Sequence, residues 1–177
     1  FTPKGELPFA GHPTLGTCHA WLTHGGTPRG DVIVQECGLG LVPVRRRGER
    51  LAFAAPDLQR SGPVGEATVV RIAKGLGIKR SSILDAEWAD NGPGWIAIQL
   101  SSRAEVLALG PDFAALDDLM IGVVGAWDAS RDGTDAQFEV RAFGMREGVN
   151  EDPVTGSLNA ALAQWLIGSG RVPGSYV

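Results

Sequence analysis

One short pattern occurs twice in this chain and limits what it can fold into. Gly11-His12-Pro13-Thr14-Leu15-Gly16-Thr17 and Asp152-Pro153-Val154-Thr155-Gly156-Ser157 both contain Pro-x-x-Gly followed by a small hydroxylated residue. The two prolines, the two glycines and the two hydroxyl residues are each 140 positions apart. At the same offset His12 falls on Asp152, Ala20 on Ala160 and Leu22 on Leu162. Each copy opens a run with helical periodicity. The apolar residues are Leu15, Cys18, Trp21 and Leu22 in the first, and Leu158, Ala161, Leu162, Trp165 and Leu166 in the second. Gly25-Gly26 ends one run and Gly168 the other. Proline suits the first helical turn, where its missing N–H is no loss, so His12 and Asp152 are expected near the N-caps. Two readings stay open: pseudo-symmetric halves of one site, or two ordinary helix caps, aspartate being a preferred cap.

If they form one site, its chemistry is constrained. Free N–H groups at a helix N-terminus attract anions. A carboxylate beside such a terminus points to a substrate that is itself an acid. Imidazole exchanges protons near neutral pH, and a carboxylate does so when burial raises its pKa. His12 and Asp152 are therefore the acid–base candidates. Gly156 lets a ligand reach the backbone, and Ser157 can hydrogen-bond a substrate carboxylate. Ser157 lacks the Gly-x-Ser-x-Gly elbow of a nucleophile. Glu151 and Glu6 read as solvated charges. His19 reads as a helix-face polar group, and His24 as a favourable cation at a helix C-terminus. The three histidines lack metal-ligand spacing, and no metal is expected.

The 177 residues suffice for one core or two small domains. A net charge of −4 gives no electrostatic reason to expect nucleic acid or an acidic membrane surface. No apolar run is long enough to span a bilayer, and no signal peptide is visible. Cys18 and Cys37 make no disulfide framework. Cys18 reads as a buried thiol, and the expected compartment is the cytoplasm. The 25 glycines favour tight turns and close backbone approaches over a long helical bundle.

In order along the chain, Phe1-Thr2-Pro3 reads as the end of a strand. The first helix follows. Runs at Val32 to Gln35, Leu39 to Val44 and Leu51 to Ala54 read as a β-meander, with Arg45, Arg46 and Arg47 at an exposed end. The polar stretch Pro56 to Pro63 reads as a domain boundary. A helix is expected from about Val64 to Leu76, with Val69, Val70, Ala73 and Leu76 inward. Strands are expected at Ile83 to Trp88, Trp95 to Leu100, Met120 to Trp127 and Gln137 to Phe143. Asn91-Gly92-Pro93-Gly94 is a turn, and Ser102 caps a helix to about Leu109. Val172 to Val177 begins a last strand. This irregular alternation with frequent hairpins fits α+β. No dinucleotide fingerprint or P-loop is present.

Glu6-Leu7-Pro8-Phe9-Ala10-Gly11-His12-Pro13-Thr14-Leu15-Gly16, Asn91-Gly92-Pro93 and Glu151-Asp152-Pro153-Val154-Thr155-Gly156-Ser157, with Phe1-Thr2-Pro3, resemble the PhzF-like phenazine-biosynthesis family. That family shares the diaminopimelate epimerase fold. The resemblance implies two similar α+β domains, each a curved, mostly antiparallel sheet around a central helix, with the active site in the cleft between them. Residues 1–58 would be the remainder of the N-terminal domain, and residues 59–177 the C-terminal domain without its last strands. The implied activity is a cofactor-free isomerase acting on a small carboxylic acid, commonly as a homodimer. Asp152 matches the cleft carboxylate and His12 the cleft histidine. Ser157, with amides around Gly11 and Gly156, matches the carboxylate cradle. The family's principal acid–base glutamate lies upstream of the Phe-Thr-Pro element, where this sequence begins. Two alternatives are a two-thiol epimerase of the diaminopimelate type and an inactive carboxylate-binding homologue. Cys18 and Cys37 do not precede the two Pro-x-x-Gly elements, which ranks the epimerase lower.

Overall fold

Residues 95–98 are apolar at every position, and residues 120–125 are apolar or glycine throughout. Strands of that composition must be covered on both faces. The computed structural model, which describes residues 2–133 and 136–176, covers them so. Strands β1 (Val32–Cys37), β2 (Gly40–Arg47) and β3 (Arg50–Phe53) form one sheet. A second has six strands in sequence order: β4 (Arg60–Pro63), β5 (Asp85–Asp90), β6 (Trp95–Leu100), β7 (Met120–Ala126), β8 (Phe138–Gly144) and β9 (Val149–Asp152). Among the described residues only β6 and β7 pair in parallel; the other neighbours are antiparallel. The helices are α1 (Gly11–Thr23), α2 (Glu66–Gly75), α3 (Arg103–Leu107), α4 (Ala129–Asp132) and α5 (Gly156–Gly168). The fold is α+β.

Side chains alternate across β6 and β7 with period two. Trp95, Ala97, Met120 and Val124 pack with Leu158, Ala161, Leu162 and Leu166 of α5. Ile96, Ile98, Leu100, Ile121 and Val123 pack with Ile72 and Ala73 of α2 and Val106 of α3. The six-stranded sheet is thus sandwiched, with α5 on one face. Helix α1 packs chiefly on the three-stranded sheet and α5, and its buried residues are Gly11, Thr14 and Cys18.

The expected meander, the Asn91–Gly94 turn and the strands at 95, 120 and 138 are present, and so is the Ser102 cap, whose hydroxyl accepts from Glu105 N–H at 3.3 Å. Several expectations are corrected. Trp21 is 43% exposed, because the buried line of α1 runs through 11, 14 and 18 towards half-buried Leu22. The Trp21 ring lies instead against Gly26. Val70 is also exposed, with Ile72 taking the inward position beside Val69 and Ala73. Part of the polar stretch at 56–63 is strand β4, an edge strand held by backbone pairing to β5 and by Arg60 stacked 3.4 Å above the Trp88 ring. Residues 172–176 form no strand; Val172 and Tyr176 pack against the α5 cluster. Phe1 and Val177, on which two terminal strand expectations partly rested, lie outside the described residues.

Candidate active site

The first turns of α1 and α5 touch backbone to backbone. A Cβ on Gly11 would stand 2.4 Å from the Gly156 carbonyl carbon, and one on Gly156 would stand 2.6 Å from the His12 nitrogen. Only glycine allows such an approach. Both helices thereby bring their unpaired N-terminal N–H groups to one place. A cavity of about 530 Å³ opens there, bordered by Gly11, His12, Asp152, Gly156 and Ser157. All five expected site residues share it.

The helices reach this point differently. Helix α1 starts at Gly11, with Ala10 as N-cap, so His12 is its second residue and Pro13 its third. Helix α5 starts at Gly156, after Pro153, with Thr155 as N-cap. The glycine matching Gly156 at the 140-residue offset is Gly16, which lies inside α1 with open space at its Cβ position. The repeated motif is therefore not repeated as a contact: Gly156 meets Gly11.

Asp152 is the last residue of β9, not a helix cap. Its Oδ1 accepts from the N–H groups of Val154 (3.0 Å) and Thr155 (3.3 Å), an Asx turn. Thr155 then enters α5 with φ +40°, the one positive φ among described non-glycine residues. A β-branched residue in that region stores about 1–3 kcal/mol of strain. Thr155 is buried, borders the cavity and donates its hydroxyl to the Asp152 carbonyl at 3.2 Å. Glu151 is exposed, as expected, and is also paired. Arg141 on β8 donates to both its carboxylate oxygens (2.7 and 2.8 Å) and to the Val106 and Leu109 carbonyls at the end of α3 (3.2 and 3.0 Å). The Arg141 hydrogen bonds hold the Glu151 carboxyl below its ordinary pKa against the opposing effect of burial.

Ser157 is buried. Trp95 Nε1–H donates to its Oγ at 3.1 Å, and Asn91 Nδ2 donates to its carbonyl at 2.8 Å. No base hydrogen-bonds this hydroxyl among the described residues. His12 is exposed at the cavity edge. Glu6, Glu36 and Glu147 also border the cavity, while no lysine or arginine does among the described residues. Positive potential there comes from the helix N-termini. Glu147 accepts from the Thr2 hydroxyl at 3.1 Å, and Lys4 Nζ donates to the Met145 carbonyl at 3.5 Å, so residues 2–4 tie across to the end of β8. His24 caps α1, its ring nitrogen 2.8 Å from the Ala20 carbonyl. Cys37 borders the cavity. Cys18 is buried off it, and burial pushes its thiol pKa up. Among the described residues no group of three His, Cys, Asp or Glu is placed to hold a metal ion. No helix there is long and apolar enough to cross a membrane.

A family model described as phenazine biosynthesis-like protein matches residues 1–176. The chain belongs to this family. It is 35% identical over 192 residues to antisense-enhancing sequence 1 of Schizosaccharomyces pombe, covering 99% of this chain and 62% of that protein. It is 33% identical over 175 residues to the trans-2,3-dihydro-3-hydroxyanthranilate isomerase of Pseudomonas aeruginosa, covering 98% and 60%. A crystal structure of a PhzF-family protein from Enterococcus faecalis superimposes with a TM-score of 0.72 at 25% identity, over 97% of this chain and 61% of that one. The chain thus spans about three-fifths of the length of these relatives. The family fold agrees with the α+β, diaminopimelate epimerase-like architecture that the motifs implied.

Sequence reasoning did not find Asn91, Trp95, Arg141, Glu147 or Thr155 as parts of this site. The Asn91-Gly92-Pro93 turn was a visible signal, but nothing in it told that it leans on α5.

Proposed function

We propose that this protein is a cofactor-independent isomerase that moves a proton within a small carboxylic acid. The observation that carries this is that His12 and Asp152 border one cavity where the N-termini of two helices meet. The substrate carboxylate lies against the first-turn amides of α1 and α5 and the Ser157 hydroxyl. Asp152 Oδ1 is engaged in its turn, which leaves Oδ2 to take the substrate proton. Asp152, His12 and the upstream glutamate that the resemblance implies then share the work. One carbon gives up a proton, a neighbouring double bond shifts, and a second carbon receives a proton. The division into residues 1–58 and 59–177, a homodimeric assembly and a cytoplasmic setting belong to the same reading. A two-thiol epimerase is disfavoured because Cys18 lies off the cavity.

The test uses the full-length protein in deuterated water with trans-2,3-dihydro-3-hydroxyanthranilate, the compound in the relative's name. Deuterium should enter a carbon position during turnover. Asp152→Ala and His12→Ala should each slow this by about a hundredfold or more. Unchanged exchange in Asp152→Ala removes that residue from the mechanism. Binding without any exchange in the unaltered protein identifies a carboxylate-binding homologue instead.

A further inference from the structure

The turn from Asp90 to Trp95 takes no part in the proton transfer proposed above, yet it is held from both sides. Asp90 Oδ1 accepts from the N–H groups of Gly92 (2.7 Å) and Gly94 (2.6 Å), and the Arg146 guanidinium donates to the Pro93 carbonyl. From this turn two buried side chains reach the first turn of α5. Asn91 donates to the Ser157 carbonyl, and Trp95 donates to the Ser157 hydroxyl oxygen. The Asn91 Oδ1 is left buried without a partner among the described residues. A buried acceptor left unpaired lowers stability, so the arrangement fits a positional duty better than a stabilising one.

The direction of the Trp95 bond has a chemical consequence. An indole N–H can only donate, whereas a hydroxyl has two lone pairs and a single hydrogen. Ser157 Oγ therefore acts as acceptor towards Trp95, and its hydrogen must go elsewhere. Among the described residues no acceptor takes it, and both side chains border the cavity. We propose that Trp95 is a positioning residue that fixes the Ser157 hydroxyl as a donor into the cavity, so that this subsite selects an anionic oxygen over a group that must itself donate. A carboxylate offers acceptors to the Ser157 hydroxyl and to the helix amides alike. A carboxamide has a single acceptor oxygen, and its NH₂ group needs a lone pair of the Ser157 hydroxyl, one of which the Trp95 N–H already occupies. This rests on the reading of Ser157 as a ligand of the substrate carboxylate.

The experiment is a double-mutant cycle of Trp95→Phe and Ser157→Ala in the full-length protein. Calorimetry would measure binding of 3-hydroxyanthranilate and of its carboxamide. Phenylalanine keeps an aromatic ring in the core but loses the donor and part of the indole's volume, and the Ser157→Ala background separates the two losses. Trp95→Phe should weaken the acid by about threefold to tenfold, the range of one hydrogen bond, and lower the acid-to-amide affinity ratio. In the Ser157→Ala background the same change should have no effect on that ratio. An equal loss in both backgrounds, or an equal loss for acid and amide, assigns Trp95 to packing and overturns the inference. If Ser157→Ala leaves acid binding untouched, the carboxylate reading fails first and this one with it. A second readout needs no ligand. The indole N–H resonance of Trp95 should move in Ser157→Ala, while those of Trp21, Trp88, Trp127 and Trp165 stay in place. A stationary Trp95 resonance denies the bond itself.

Discussion

Helices α1 and α5 are the same length, 13 residues each, and meet at their first residues, yet they are supported unequally. Helix α5 buries Leu158, Ala161, Leu162, Trp165 and Leu166 against a six-stranded sheet. Helix α1 buries Gly11, Thr14 and Cys18 beside a three-stranded sheet, and its large apolar residues are half-buried or exposed. The site shows the same asymmetry. Asp152 sits on an Asx turn, next to a strained Thr155 and a clamped Glu151, and Ser157 is held from Asn91 and Trp95. At the other helix, His12 is exposed, and the first turn is tied locally by the Thr14 hydroxyl donating to the Ala10 carbonyl at 2.9 Å. Similar local sequences thus acquire different roles from what lies beneath them. The α5 end is a fixed frame, and α1 docks onto it through a glycine contact.

The residues matched by the repeated motif test this inequality. Leu162→Ala, in the core beneath α5, should destabilise by about 2–5 kcal/mol in chemical denaturation. Its counterpart Leu22→Ala, half-buried on α1, should destabilise by only about 1 kcal/mol. Equal losses would break the comparison. The glycine pair should differ in sign. Gly156→Ala forces a methyl against the start of α1 and should destabilise by about 1–3 kcal/mol, with loss of activity. Gly16→Ala meets open space inside a helix and should stabilise by about 0.5–1 kcal/mol.

A smaller effect sharpens the comparison through pH. The Glu151 pKa is lowered in the folded state, chiefly by the Arg141 hydrogen bonds. The stability this contributes is present above the ordinary glutamate pKa and lost as pH falls through the depressed folded value. The pair is partly exposed, so the contribution is at most about 1 kcal/mol after screening. Glu151→Gln should flatten that part of the acid limb in a melting-temperature titration. An unchanged limb would mean that the clamp adds nothing to the α5 frame.

The short motifs made the site legible because helix starts are local chemistry: proline, small residues and a polar flank within six positions. Strands β6 and β7 were legible because burial on both faces leaves apolar residues at nearly every position. Strand β4 was hidden because Arg60-Ser61-Gly62-Pro63 pairs through its backbone and carries no apolar alternation. Strand β9 is four residues long with polar Asn150 and Glu151, so Asp152 read as a helix cap when it ends a strand. The Arg141–Glu151 clamp depends on β8–β9 pairing that includes a register shift between Ala142 and Gly144. Trp95 and Ser157 are 62 positions apart, and only the packing of α5 on the sheet brings them together. Trp21 was misassigned because helical period finds a stripe but not how much sheet is there to cover it.

The most direct measurement is a crystal structure of the full-length protein with 3-hydroxyanthranilate bound. The carboxylate should lie at the Gly11–Gly156 contact, within hydrogen-bond distance of the Ser157 hydroxyl and first-turn amides, with the ring between His12 and Asp152. A carboxylate turned away from that contact, or a ligand seated outside this cavity, would contradict the site proposed here.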